Sequence, residues 1–171
     1  MTTKTITIEI PAEALIAKLA QHLVGAYAPF CPWPAAQPTK IGDLWPGTTS
    51  FYAGLVRGED GAPDHHLVLL DTPQFGPGDW HAAKAWAASL GAALPTRREQ
   101  SILYANLRER FEDAWYWSGE EVAGYADYAW LQTFGNGDQN DNHKSYQYRA
   151  RVVRRAPIQS FTDSPIRHHA N

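Results

Sequence analysis

The chain has a single cysteine, Cys31, among 171 residues. That excludes an intramolecular disulfide and any zinc site built on several thiolates. No segment approaches the roughly 18 apolar residues that a membrane-spanning helix needs. Positive charge is not in excess either. Lys and Arg number 15 against 18 Asp and Glu, and the net charge of −3 offers no bulk attraction to nucleic acid or to an anionic membrane. Met1-Thr2-Thr3-Lys4-Thr5-Ile6 lacks the apolar run and small-residue cleavage site of a secretory signal, so synthesis and folding in a reducing cytoplasm are expected. A Ser-centred elbow, a Gly-rich phosphate loop and an H-E-x-x-H helix are all missing, as is any internal repeat.

What is present is the composition of a globular domain, 44% hydrophobic and 19% charged, long enough to bury a real core. Seven Trp, eight Tyr and six Phe make it aromatic-rich. Such residues combine large area with a polar tip and serve both cores and binding faces.

Along the chain, Ile6, Ile8 and Ile10 alternate as in a half-buried strand, and Leu15, Ile16, Leu19 and Leu23 follow at helical spacing before Gly25. Residues 1–25 are therefore expected to form a strand–helix appendage, a candidate surface for self-association. Residues 26–48 read as a Pro-rich connector pinned by Trp33 and Trp45. The main domain is expected over 49–158, with a loose tail at 159–171. Its predicted strands are Phe51–Val56, His66–Leu70, Ala114–Trp117, Tyr128–Phe134 and a single last strand, Arg149–Arg155. Asp79 caps a predicted helix carrying Trp80, Ala83, Trp86, Ala87 and Leu90, which Gly91 ends. Thr96 and Glu99 form a T-x-x-E capping box for a second helix carrying Ile102, Leu103, Leu107 and Phe111.

The densest stretch is Leu94 to Arg155, where fixed aromatic blocks alternate with a soft polar run of Asn, Asp, His, Ser and Tyr. "LPTRREQ", "AWYWSGEE", "YAWLQTFGNGDQNDNHKS" and "YRARVVRR", in that order, resemble the Lcl C-terminal domain family over roughly Phe51 to Pro157. Many of its members are phage and prophage proteins of unassigned function. The resemblance implies an α+β, C-type-lectin-like fold: two helices flanking a small, twisted, mostly antiparallel sheet, with a long irregular loop region on one side. It also implies kinship with proteins diversified by retroelements, whose reverse transcriptase mutates template adenines and turns Asn codons into Tyr, Asp, His or Ser codons. Tyr125, Asp127, Asn136, Asp138, Asn140, Asn142, His143, Tyr146 and Tyr148 are residue types that such a process leaves behind, and they form the expected ligand-binding set. Any exposed turn also favours Asn and Asp.

Chemistry finds less support. Asn136-x-Asp138-x-Asn140-x-Asn142 offers hard oxygens, but Asp141 stands where a calcium loop needs Gly, and Gln147 where it needs a bidentate Glu. The Glu-Pro-Asn and Trp-Asn-Asp signatures of calcium-dependent lectins are missing too. His65-His66 are neighbours that a strand points to opposite faces. A formylglycine-generating oxidase of the same fold works through paired cysteines, which this chain does not have. Glu120-Glu121 and Glu112-Asp113 read as solvated charge. Arg149, Arg151 and Val153 alternate onto one face, a candidate phosphate stripe set against an acidic chain.

The expectation is therefore a non-enzymatic recognition protein without cofactor, metal or membrane partner, made in the host cytoplasm and displayed on a virion. Its partner would be a bacterial host protein or surface glycan. Trp117, Tyr128 and Trp130 are expected in the core, with the Asn136 to Tyr148 segment as contact surface. The rival expectation is an intracellular phage effector that blocks a host or anti-phage defence protein.

Overall fold

The computed structural model describes residues 40–158. The strand–helix appendage, Cys31, Trp33 and the C-terminal tail all lie outside the described residues. The described fold is α+β, with two helices and two sheets. In chain order it runs β1 (Phe51–Val56), β2 (His65–Leu69), β3 (Phe75–Gly78), α1 (Trp80–Ser89), α2 (Arg97–Leu107), β4 (Trp115–Val122), β5 (Tyr125–Thr133), β6 (Gln139–His143), β7 (Tyr148–Ala150) and β8 (Val153–Pro157). One sheet has three antiparallel strands in the order β1-β2-β8; the other has five in the order β3-β7-β4-β5-β6. Only β4 and β7 pair in parallel within the larger sheet. No helix of the described residues is long and apolar enough to cross a membrane.

Both helices start where their caps predict. Asp79 Oδ1 accepts from the Ala82 N–H at 2.8 Å, and Thr96 and Glu99 close a reciprocal capping box. Each cap satisfies backbone donors that a helix start leaves unpaired. Gly91, at φ +59°, takes the left-handed position just past α1 that a side chain would strain.

Adjacent residues on a strand point to opposite faces, and β4 uses this to join two cores. Tyr116 enters a cluster with Leu67, Leu69, Leu103, Leu107 and Phe134, beneath α2. Trp117 enters the other, with Trp80, Ala83, Ala87, Leu131 and Val152, beneath α1. A strand buried on both sides explains the unbroken aromatic run Trp115-Tyr116-Trp117. Two buried glutamines tie α2 to this sheet: Gln100 Nε2 donates to Tyr116 O at 2.9 Å, and Gln132 Nε2 to Gln100 O at 3.2 Å.

Several expectations need correction. The domain takes in part of the expected connector: Trp45 is fully buried, its ring 5.8 Å from Tyr52 and 5.4 Å from His66. The second strand is His65–Leu69, one residue early. Phe111 lies beyond α2, after a 3₁₀ turn at Arg108–Arg110, and stacks on Phe134 at 3.7 Å. The expected last strand is two strands in different sheets, because the chain crosses between them at Arg151-Val152. The crossing is held by the Leu70 N–H donating to Val152 O at 3.0 Å and by Arg151 Nη2 donating to Leu70 O at 3.2 Å. β3 and β6 are strands that the sequence pattern does not announce, β6 lying within the polar segment expected as contact surface.

Candidate recognition face

The register of β5 against β6 sets Tyr128 opposite His143, Trp130 opposite Asp141 and Gln132 opposite Gln139. The intervening Ala129 and Leu131 are buried in the core. Tyr128 and Trp130 therefore lie on the outer face and do not anchor the core as expected; Tyr128 is 38% exposed and Trp130 half-buried. Trp117 does anchor it, fully buried and edge-on to Tyr148 at 4.9 Å.

The start of α2 braces this face from below. The Arg97 N–H donates to Glu120 Oε2 at 3.0 Å, and its guanidinium lies 3.4 Å from the Trp130 ring centre. Arg97 Nε donates to Gln139 Oε1 at 3.1 Å, while Gln139 Nε2 donates to Arg97 O at 2.7 Å and to Gln132 Oε1 at 2.8 Å.

Two pockets open beside one another. The first, about 390 Å³, is lined by Val122, Tyr125, Tyr128, Trp130 and Asp141. Tyr125 is 66% exposed and meets Tyr128 at 6.3 Å and 75°. The second, about 460 Å³, is lined by Asp79, His81, Ala126, Asp127, His143 and Ser145 around Lys144. Tyr128 and His143, one from each pocket, touch edge to face at 5.5 Å.

Lys144 is not a display residue. It is buried, its Nζ donates to Glu121 Oε1 at 2.9 Å and to Ala126 O, and it lies 4.5 Å from the Trp80 ring. That hydrogen bond, with the charge behind it, holds the Glu121 carboxyl below its ordinary range.

The nine expected contact residues divide. Tyr125, Asp127 and His143 line the pockets, and Tyr146, 57% exposed, follows on the turn after β6. Asn136 and Asp138 bond to each other in the β5–β6 turn: Asn136 Nδ2 donates to Asp138 Oδ2 at 2.6 Å. Tyr148 is half-buried against Trp117, and its hydroxyl accepts from Asn142 Nδ2 at 2.7 Å. It serves the scaffold.

Asn140 and Asn142 have a definite edge role. Thr133 N–H donates to Asp138 O and Lys144 N–H to Asp127 O, so ladder alternation turns the N–H groups of Asp141 and His143 off the sheet edge. The Asn140 and Asn142 side-chain oxygens accept from those two donors at 2.9 and 2.8 Å. Because β6 ends its sheet, these caps blunt an edge that would otherwise template another strand.

The residues missed by sequence reasoning are Tyr128, Trp130, Asp141 and Arg97. The available signal was the alternation of Ala129 and Leu131, which already claims the inner face. The candidate phosphate stripe, set aside on charge, is also committed elsewhere: Arg149 pairs with Glu112 at 2.8 Å and Arg151 is 8% exposed.

A further cleft, about 450 Å³, sits where α2 begins, between the β1–β2 loop and the end of β8. It holds Glu99, 1% exposed, whose Oε1 accepts from Arg155 Nε at 2.6 Å and whose Oε2 accepts from Arg155 Nη2 at 2.7 Å and Thr96 N–H at 2.8 Å. His65 Nε2 lies 3.0 Å from Oε1 and must carry the proton, since an ionised carboxylate only accepts. Burial alone would raise the Glu99 pKa, but Arg155, Thr96 and His65 together bring it below its ordinary value. With four donors in place this carboxylate is a structural tie and a poor general base. Among the described residues, no group of three or more His, Cys, Asp or Glu side chains is placed to hold a metal ion. No family model matches this chain, and no curated protein matches it.

Proposed function

We propose that the chain is a non-enzymatic recognition protein that binds a partner through the outer face of β5–β6 and the turn that follows it. One observation carries the reading. Tyr125 and Tyr128, 66% and 38% exposed, line one of two adjoining pockets and Tyr146, 57% exposed, stands on the turn after β6, while Ala129 and Leu131 of the same strand β5 are buried. Exposed tyrosines supply contact area at low entropy cost, and they rarely cluster on a surface that binds nothing.

The scaffold reading is C-type-lectin-like, supported by two successive helices against small, mostly antiparallel sheets and by the ordered blocks from Phe51 to Pro157. The same resemblance supports a phage or prophage origin and a host protein or surface glycan as partner. If a retroelement diversifies this gene, the positions free to vary are Tyr125, Asp127, Tyr128, Asp141 and Tyr146, because the side chains of Asn140, Asn142, His143 and Tyr148 carry hydrogen bonds of the scaffold.

Capture from host lysate and cell-surface fractions, with wild type and Y125A/Y128A/Y146A in parallel, tests the proposal. A partner recovered by the wild type and lost by a variant of unchanged melting temperature supports it. Equal recovery by both moves the site elsewhere.

A further inference from the structure

The pocket lined by Tyr125, Tyr128, Trp130 and Asp141 has a composition that selects for charge. Aromatic faces carry negative potential and attract cations, an attraction that grows as water is excluded. The Tyr125 and Tyr128 rings stand at 75° to one another and make a corner. A flat sugar face needs an open platform, whereas a corner offers two ring surfaces to one compact charged group. Arg97 already covers one face of Trp130, so that ring meets the pocket with its other face or its edge.

Asp141 supplies the counter-charge. Its carboxylate has no hydrogen bond or ion pair among the described residues, although its backbone N–H is capped by Asn140. The other half-buried or buried acid of this sheet region, Glu120, accepts from the Arg97 N–H. Asp141 is thus an uncommitted acceptor set beside three aromatic rings.

The protein uses the same combination internally. Lys144 Nζ rests 4.5 Å from Trp80 and donates to the Glu121 carboxylate. There, ring, carboxylate and ammonium are all supplied by one chain. At the pocket, ring and carboxylate face outward together.

We infer that this pocket is a cation cage that takes one arginine or lysine side chain of a protein partner. The inference rests on the recognition reading of the β5–β6 face and names the chemistry of its central contact.

Titration of the full chain with N-acetyl-arginine amide, N-acetyl-lysine amide and tetramethylammonium, followed by ligand-observed NMR, tests it. N-acetyl-citrulline amide, which keeps the arginine shape without its charge, is the control. The expected result is saturable binding of at least one cation, with citrulline about tenfold weaker or more, the loss that removing a cation–π and carboxylate contact produces. Asp141→Asn and Tyr125→Ala should each weaken cation binding about fivefold or more at unchanged melting temperature, and Tyr125→Phe should retain it. Citrulline binding as well as arginine, cations binding both variants like wild type, or no cation binding to the wild type would each overturn the cage. Failure of the recognition reading has a different signature: cations bind, yet Y125A/Y128A/Y146A captures partner like the wild type. Partner capture that is lost in Tyr146→Ala, with no cation bound, leaves recognition standing and removes the cage.

Discussion

The cleft at the start of α2 and the pocket on β5–β6 each bring a carboxylate against mixed apolar walls, and they differ in what that carboxylate already touches. Glu99 receives four donors from Arg155, Thr96 and His65 and is 1% exposed. Asp141 receives none at its side chain and sits half-buried among three aromatic rings. Cavity size alone would favour the first, at about 450 Å³ against about 390 Å³. Free hydrogen-bonding capacity favours the second. A saturated group has spent its directional interactions on the fold, and an unsaturated one keeps them for a partner.

The contrast between inner and outer faces breaks most sharply at the tryptophans. Trp117→Ala should cost about 3–5 kcal/mol, since the ring is fully buried and its Nε1 donates to Gly78 O at 3.0 Å. Trp130→Ala, half-buried under Arg97, should cost about 1–2 kcal/mol. Chemical denaturation of both variants measures the gap. Equal losses would mean that the outer face of β5 is as much core as the inner one.

Glu99→Gln comes next, at about 1.5–3 kcal/mol, because the buried carboxylate loses its charge-assisted bonds to Arg155, whose own side chain is 36% exposed. The pH dependence carries the sign. The folded pKa of Glu99 lies below its ordinary 4.5, so its stabilisation is fully present above that value and is lost as pH falls through the depressed folded pKa. Wild type and variant should therefore converge in melting temperature at acid pH. A constant difference from neutrality to strong acid would rule out an ionised Glu99 as the tie. Thr96→Ala acts on the same helix start and should cost about 0.5–2 kcal/mol, read by thermal unfolding.

Local chemistry made the helices legible. Asp79, Gly91 and the Thr96–Glu99 box state their roles within a few residues, and both α1 and α2 begin where those caps put them. Long-range pairing was not legible. Nothing local in Arg149–Arg155 says that Tyr148–Ala150 joins one sheet and Val153–Pro157 another, because the decision is made by Leu70 and Ala93, which bind Val152 and Val153 from a distance. The candidate site was half legible. Composition drew attention to 125–148, where the pockets are. It could not distinguish an Asn that meets a ligand from an Asn that caps an edge, since both are polar and surface-lying. The aromatics of β5 misled for the converse reason: a half-buried outer Trp and a fully buried inner one look alike until strand alternation assigns their faces.

The edge caps sharpen that distinction at smaller energies. Asn142→Ala should cost about 0.5–1.5 kcal/mol through its lost bond to the Tyr148 hydroxyl. The N140A/N142A double variant, with the Asp141 and His143 N–H groups uncapped, should self-associate at concentrations where wild type does not. Sedimentation velocity across a concentration series reads this directly. A double variant that sediments like wild type throughout would remove the blunting role and return both residues to the contact surface.

The smallest effect on stability is expected where the largest effect on binding is. Tyr125→Ala, Asp141→Asn and Tyr146→Ala remove groups with no hydrogen bond from their side chains among the described residues, so each should change stability by no more than about 0.5 kcal/mol. Tyr128→Ala should cost slightly more, because its ring touches both Tyr125 and His143. A fold that depended on these rings would have buried them, as it buried Trp117. Partner binding should respond in the opposite order, since a few aromatic residues carry most of the energy of an interface. Melting curves and capture assays on the same four variants decide between the two faces of β5. A Tyr125→Ala variant that loses several kcal/mol would make the exposed tyrosines part of the scaffold, and the recognition face would then have to be sought at the cleft beside α2.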